Sequence, residues 1–337
     1  MSDYGIVVSK DLMVPMRDGV RLAFDVYRPG IDGAYAPGTF PTIMLHTAYD
    51  KATKRYEEIA DYFVPRGYAV VLVDMRDRYR SEGSGTYFHS ATPHTGRDGY
   101  DIVEWIAAQP WSNGRVGTCG SSYAGQVQIR MALEDPPHLT AIWPDVVTTN
   151  NYFNCAREGG AFQGHMFWAL FIHAQDAQDI AGDQAKIDEV WEDLKNLREL
   201  FRATPWQEGQ TALRHVPPLE QTLLNYYRRG AYDDWWAQIS CDYERHYPQH
   251  ADVPMTVSSG WFDPWAGPDL EYWAAMAAKN TSPQRAVIGP WSHVGMRGEA
   301  SYCHEVDFGP QSVWGVDRYF DEQLEYFSRW QIGRAHV

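Results

Sequence analysis

Along the first 150 residues the spacing of apolar positions switches repeatedly between a period of two and a period near 3.6. IVVSKDLMVPM (6–16) and VRLAFDVYRP (20–29) are rich in β-formers and joined by RDG, a turn signal, which predicts a hairpin. FPTIMLHT (40–47) is a short apolar run, and the amphipathic KRYEEIADYFVPRG (54–67) after it ends in glycine, as helices do. YAVVLVD (68–74) is apolar at nearly every position, the pattern of a strand covered on both faces of a parallel sheet. GRDGYDIVEWIAAQP (96–110) returns to helical spacing and stops at a proline. RVGTCG, SYAGQVQIRMALEDP and LTAIWPDV then read as strand, helix and strand. Repeated β-α-β units with short connections predict an α/β fold with a doubly wound, mostly parallel sheet.

The alternation stops near residue 150. AFQGHMFWALFIHAQ (161–175), KIDEVWEDLKNLRELF (186–201) and PPLEQTLLNYYRRG (217–230) all have helical spacing, and AYDDWWAQIS (231–240) is rich in aromatics. Strand and helix patterns resume with VPMTVSSGWFD, PDLEYWAAMAAK, QRAVIGPWSH and a last helix, VWGVDRYFDEQLEYFSRW (313–330). The expected organisation is a core in two parts, 1–149 and 251–330, with a helical cap inserted at 150–250. An insertion there is placed to act as a lid over the carboxyl ends of the strands, where such sheets bind ligands. QIGRAHV (331–337) continues neither the periodicity nor the caps, and equals a one-frame translation of the start of a common sequencing adapter. It is expected to be an artefactual tail on a chain cut near Trp330.

Composition leaves this picture standing: 44% hydrophobic and 14% aromatic residues suffice for a sizeable core. Charge narrows the partners. Forty-four acidic against 29 basic residues give a formal net charge of −15, which repels nucleic acid and acidic lipid and favours a neutral or cationic small substrate. No stretch approaches the roughly 20 apolar residues that span a bilayer, so no membrane contact is expected. The start lacks the features of a secretory signal, and the expected location is cytoplasmic. Cys119, Cys155, Cys241 and Cys303 are far apart and read as buried thiols in a reducing compartment. A homo-oligomer is compatible with all of this.

The stretch GTCGSSYAGQ (117–126) sets two serines between glycines where a strand gives way to a helix. A nucleophile elbow turns so tightly that the residues two before and two after its serine must be small. Around Ser121 these are Cys119 and Tyr123, and a tyrosine ring does not fit. Around Ser122 they are Gly120 and Ala124, and Gly125 lets the helix approach the sheet, so Ser122 is the candidate.

An elbow serine needs a base and an acid further along the chain, each just after a later strand. Among twelve histidines, His138 lies in a PPH turn, His246 and His250 in a polar connection, and His173 on an apolar helix. His89 and His94 have a spacing compatible with a metal pair but no HExxH-type partner or nearby cysteine, and neither a metal nor another cofactor is expected. His293 follows RAVIGPW, and Asp263 follows MTVSSGWF in the same way. The order Ser122, Asp263, His293 is the hydrolase order. An oxyanion would need two donors: the Tyr123 N–H, next after the nucleophile, and one from the loop after FPTIMLHT. Tyr49 lies in that loop, as a phenolic donor or as an ordinary loop tyrosine.

The segments VPMRDGVRLAFDVYRP, AYDK, RSEG, GRDGYDIVEWIAAQPWSNGRVGTCGSSYAG, GGAFQ, GWFD and GPWSH, in this order over residues 8–330, resemble the cocaine-esterase-like (CocE/NonD) hydrolases, relatives of X-prolyl dipeptidyl peptidases and α-amino-acid ester hydrolases. The resemblance implies an α/β-hydrolase core, a helical cap and a C-terminal β-sandwich. It places the nucleophile on Ser122, the acid on Asp263 and the base on His293, and assigns the oxyanion hole to the Tyr49 hydroxyl and the Tyr123 N–H. Three departures stand out. Asp77 and Tyr79 occupy DMRDRYRSEG, where the family usually has glycines. The carboxylates with which some members bind a substrate ammonium correspond to Trp265, Ala266 and the neighbourhood of Cys155 and Ala156, although Glu158 is close. A β-sandwich is missing, consistent with a chain cut near Trp330; its loss would expose apolar surface, so poor solubility is expected.

The expected function is cleavage of small-molecule carboxylic esters through an acyl-enzyme. Its acyl pocket would be walled by Phe162, Phe167, Trp168 and Trp265, unless these aromatics only pack the cap. Open alternatives are X-prolyl dipeptidyl-peptidase or amidase activity with the same three residues, a catalytically inactive binding protein on the same fold, and a metal-dependent hydrolase.

Overall fold

The computed structural model describes residues 4–83, 94–163, 170 and 173–332. Strands β1 (Gly5–Pro15) and β2 (Arg21–Ile31) form the antiparallel hairpin that RDG predicts, its turn closed by the Met16 N–H on the Val20 carbonyl. Gly19 supplies the positive φ, 87°, that this turn requires. The two-residue β3 (Ala34–Tyr35) pairs with β2. Next come β4 (Phe40–Thr47), α1 (Lys54–Phe63), β5 (Ala69–Asp74), α2 (His94–Ala107), β6 (Ser112–Ser121), α3 (Tyr123–Ala132) and β7 (Leu139–Asp145). After the helical segment the core resumes with β10 (Met255–Phe262), α7 (Ala266–Lys279), β11 (Gln284–Ser292) and α8 (Val316–Phe327).

Among the described residues these strands form one nine-stranded sheet, ordered β1-β2-β5-β4-β6-β7-β10-β11 with β3 on β2. Every pairing from β5 to β11 is parallel. Period-two alternation assigns each strand's side chains to two cores. Met44, Val71 and Val73 pack with Ile102 and Ile106 of α2, Ile129 of α3 and Met276 of α7. Their neighbours Ile43, Leu45, Val70 and Leu72 pack on the other face with Ile59 and Phe63 of α1 and Phe320 and Phe327 of α8. Strands apolar at every position are thus covered on both faces. α8 packs tightly on Gly117, where a Cβ would lie 2.8 Å from the Phe327 ring. A π-turn follows over Ser328–Ile332, and the buried Gln331 amide donates to the Thr42 and Arg115 carbonyls.

The segment 150–250 contains β8 (Arg157–Glu158), β9 (Ala161–Phe162), α4 (Gln184–Lys195), α5 (Leu197–Arg202) and α6 (Pro217–Arg228). Two details differ from the sequence expectation. The start of 161–175 is the second arm of a short hairpin, turned by Gly159 and Gly160 at φ of 56° and 87°. The single helix expected over 186–201 is broken at Asn196, φ −103° and ψ 27°, whose side chain donates to the Glu192 carbonyl while its own carbonyl accepts from Glu199 and Leu200. An asparagine that bonds locally competes with the helix. The helices share an apolar centre of Leu170, Leu213, Leu219, Leu223 and Trp206. A second cluster joins Tyr226, Trp236 and Cys241 of this segment to Tyr123, Val127 and Trp265 of the core, over the carboxyl ends of the strands. All four cysteines are buried, and none of them forms a disulfide. No helix among the described residues is long and apolar enough to cross a membrane.

β7 ends in a fully buried carboxylate. Asp145 accepts from the Trp143 indole at 3.0 Å and from the hydroxyls of Ser258 and Tyr319. Burial outweighs these bonds and raises its pKa to about 6. An unfolded aspartate ionises near pH 4, so between about pH 4 and 6 the folded chain holds the extra proton and stability falls as pH rises. Asp145→Asn is expected to flatten that decline in urea unfolding curves taken across this window. An unchanged slope would refute the assignment.

Candidate active site

Four strands pointing the same way deliver four loops to one edge of the sheet. β6 leads to Ser122, β4 to Tyr49, β10 to Asp263 and β11 to His293. Ser122 sits at φ 60° and ψ −126°, a region that side-chain-bearing residues rarely occupy. Its N–H donates to the Asp145 carbonyl, and its own carbonyl accepts from Gly125 and Gln126 in the first turn of α3. The small neighbours are sterically required. A Cβ on Gly120 would lie 3.0 Å from the Ala124 methyl, and one on Gly125 would lie 2.5 Å from a Val147 methyl. The two serines part company here: the Ser121 hydroxyl accepts from Arg55 at 2.8 Å, whereas Ser122 faces His293.

The Ser122 Oγ lies 3.0 Å from His293 Nε2, and His293 Nδ1 lies 2.6 Å from Asp263 Oδ2. A carboxylate accepts only, so Nδ1 carries the proton and Nε2 is left to accept from the serine. Asp263 is buried, and its second oxygen takes the Trp265 N–H at 2.7 Å, which fixes the carboxylate plane. The Trp265 indole stands edge-on to the His293 ring, 5.0 Å between centroids. A shift in the β10–β11 register between Gly260 and Phe262 sets the two loops side by side, and a Cβ at Gly260 would lie 1.9 Å from the Trp291 carbonyl.

The Tyr49 hydroxyl lies 3.4 Å from the Ser122 Oγ, with its own N–H on Thr47 Oγ1 at 3.0 Å. Burial of the phenol oxygen drives its pKa far up, against the opposing effects of the Ser122 hydroxyl and the Tyr123 N–H, so at neutral pH the group keeps its proton. The Tyr49 hydroxyl and the first residue of α3, Tyr123, thus both stand beside Ser122.

Of the aromatics expected around an acyl pocket, Trp265 lies against the His293 ring, and half-buried Phe162 packs both on Trp206 at 5.9 Å and against the cluster that holds Tyr123 and Trp265. Phe167 and Trp168 lie outside the described residues, as does His89. His94 opens α2 with Nδ1 3.9 Å from an Asp18 oxygen. Among the described residues no group of three or more His, Cys, Asp or Glu is arranged to hold a metal ion.

Sequence reasoning passed over two supporting residues. The buried Gln128 side chain donates to the Gly120 and Trp143 carbonyls and accepts from the Trp143 N–H, tying the elbow to β7. Buried Arg130 bonds the Tyr243 hydroxyl at 2.7 Å, the Ser240 carbonyl and the Tyr123 hydroxyl, anchoring the helical segment to α3. The signal was a helix carrying Gln126, Gln128 and Arg130 at every second position. All three are buried, and Gln128 and Arg130 find the bonding partners that burial demands.

Comparison with known proteins identifies the family and the fold. The chain is 30% identical over 347 residues to the cocaine esterase of a Rhodococcus species, covering 98% of this chain and 56% of the esterase. It therefore spans little more than half of that relative's length. Its fold matches an aminopeptidase from a marine-sediment Thaumarchaeota archaeon, with a TM-score of 0.72 and 21% identity over 99% of this chain and 56% of that one. It also matches a CocE/NonD family hydrolase from Staphylococcus aureus, with a TM-score of 0.67 and 20% identity over 98% and 51%. A family model described as X-Pro dipeptidyl-peptidase (S15 family) matches residues 18–295, a span that opens in the β1–β2 turn and closes just beyond His293, and the chain belongs to that family.

Proposed function

We propose that this chain carries the catalytic centre of a serine hydrolase that cleaves carboxylic esters of small molecules through an acyl-enzyme. The observation that carries the reading is the unbroken hydrogen-bond relay from Ser122 through His293 to Asp263, 3.0 and 2.6 Å in its two links. Ser122 Oγ attacks the acyl carbon while His293 Nε2 takes its proton. Asp263 stabilises the resulting imidazolium and stays ionised. Negative charge develops on the former carbonyl oxygen and is met by the Tyr49 hydroxyl and the Tyr123 N–H, donors already aimed before reaction begins. Collapse of the tetrahedral intermediate expels the alcohol, which leaves with the proton from His293. Water, deprotonated by the same imidazole, then releases the acid and restores Ser122.

The family description raises a second reading, release of X-Pro dipeptides by the same three residues. The chemistry around the site favours esters. Where a free ammonium would need carboxylates, this chain has Trp265, Cys155 and Ala156, packed in one apolar cluster with Tyr123 and Val127, while Glu158 is exposed. An unpaired ammonium is costly to bury against such a wall.

Three outcomes are expected. Steady-state assays on p-nitrophenyl esters and Xaa-Pro anilides should give the higher kcat/KM with the esters; faster anilide cleavage would reverse the order of the two readings. Ser122→Ala should lower ester turnover by at least about 10⁴-fold, as loss of a triad nucleophile does. Retained turnover would remove Ser122 from the chemistry. Tyr49→Phe should lower kcat by roughly 10²- to 10³-fold with little change in KM, the effect of deleting one oxyanion donor. A KM effect alone would make Tyr49 a binding residue.

A further inference from the structure

The Tyr49 ring hangs from a loop, yet its hydroxyl has to hold a position within a fraction of an ångström to serve as a donor. Its N–H fixes the backbone on Thr47. The ring plane is fixed by the helical segment. The imidazole of His173 lies stacked on the Tyr49 ring, 5.4 Å between centroids and 25° between planes, and meets the Tyr123 ring edge-on at 6.0 Å. His173 is 3% exposed. Burial and the nearby Arg78 guanidinium hold its pKa well below the usual histidine value, so the stacked ring is a neutral aromatic.

The core reaches up to hold His173 where it is. Buried Arg78 donates from Nη1 to the His173 carbonyl at 2.8 Å, and its backbone forms a β-bridge with Ala177. The Tyr79 hydroxyl donates to Asp176 at 3.1 Å, and the Gln178 amide donates to the Ser81 carbonyl at 2.7 Å. Asp77 and Tyr79 stand at φ of 64° and 49°, left-handed positions on either side of Arg78. These are the positions where glycines were expected from the family resemblance. Here side chains occupy them, and one of these, Tyr79, bonds the helical segment.

We infer that His173 is a positioning residue for the Tyr49 hydroxyl, held against the Tyr49 ring by the Arg78–Tyr79 turn, so that the helical segment completes the oxyanion site. The inference rests on the role proposed for Tyr49 above. With the stack in place, the ring cannot swing its hydroxyl away from the point it shares with the Tyr123 N–H. Without it the loop keeps its backbone bond to Thr47 but loses the constraint on the ring.

A double-mutant cycle on p-nitrophenyl ester hydrolysis tests this, with folding checked by thermal melts. His173→Ala is expected to lower kcat by roughly 10- to 100-fold, short of full donor loss, while KM stays within about two-fold. In a Tyr49→Phe background the same change should cost less than about two-fold, since no hydroxyl remains to misplace. His173→Phe, which keeps a planar ring, should recover most of the rate. His173→Leu, which fills the space without one, should not, and running the cycle with Leu separates loss of the stack from collapse of a cavity. Equal losses in both backgrounds, or equal rates for the Phe and Leu variants, would overturn the inference. If Tyr49→Phe is slow but His173→Ala is not, only the role of His173 fails. If Tyr49→Phe is itself fully active, the oxyanion role of Tyr49 fails and this inference with it.

Discussion

Ser122 is held in a backbone conformation that costs on the order of 1–3 kcal/mol for a residue with a side chain, and its surroundings leave it no alternative. The Asp145 carbonyl takes its N–H, two amides of α3 take its carbonyl, and Gly120, Ala124 and Gly125 let strand, turn and helix close to distances that any larger side chain would forbid. Gln128 ties the same turn to β7 from beneath. The strain turns the Ser122 hydroxyl toward His293 and Tyr49, and in the proposed mechanism the following N–H serves the same space. An elbow relaxed to ordinary helical or extended geometry would lose both together.

The remaining parts are placed by sheet topology. Parallel strands end on one side, so residues separated by 171 positions, Ser122 and His293, meet without a long-range loop having to find its way. The offset between β10 and β11 beside Gly260 brings Asp263 level with the imidazole, and the Trp265 N–H keeps that carboxylate from turning. Acidic groups nearby are kept apart from this chemistry by their own partners. Asp145 is spent on Trp143, Ser258 and Tyr319, and Asp269 on the Val147 N–H. Above the edge, the helical segment closes over Tyr123 and Trp265 with a largely apolar cluster, and the Arg78–Tyr79 turn clamps it to the core.

Much of this was legible in the chain. Apolar runs such as YAVVLVD carry their own assignment, because a strand buried on both faces has no polar side to show. The choice of Ser122 over Ser121 followed from residue size at 120 and 124, a steric rule that needs no partner. Asp263 and His293 were readable because each lies immediately after a strand pattern. What stayed hidden depends on groups far away in sequence. Nothing local says that Arg130 would meet Tyr243 and Ser240, about 110 residues on. The stretch DMRDRYR was visible only as a departure from a familiar pattern. Its role as a clamp needs Asp176 and Gln178, about 100 residues on, to be seen beside it.

The most direct test of the proposed relay and its oxyanion site is a crystal structure of the chain after reaction with an alkyl fluorophosphonate. Phosphorus should be bonded to Ser122 Oγ, with the phosphoryl oxygen about 2.7–3.1 Å from both Tyr49 Oη and the Tyr123 nitrogen. An unmodified Ser122, or an adduct whose oxygen points away from those two donors, would contradict the proposal.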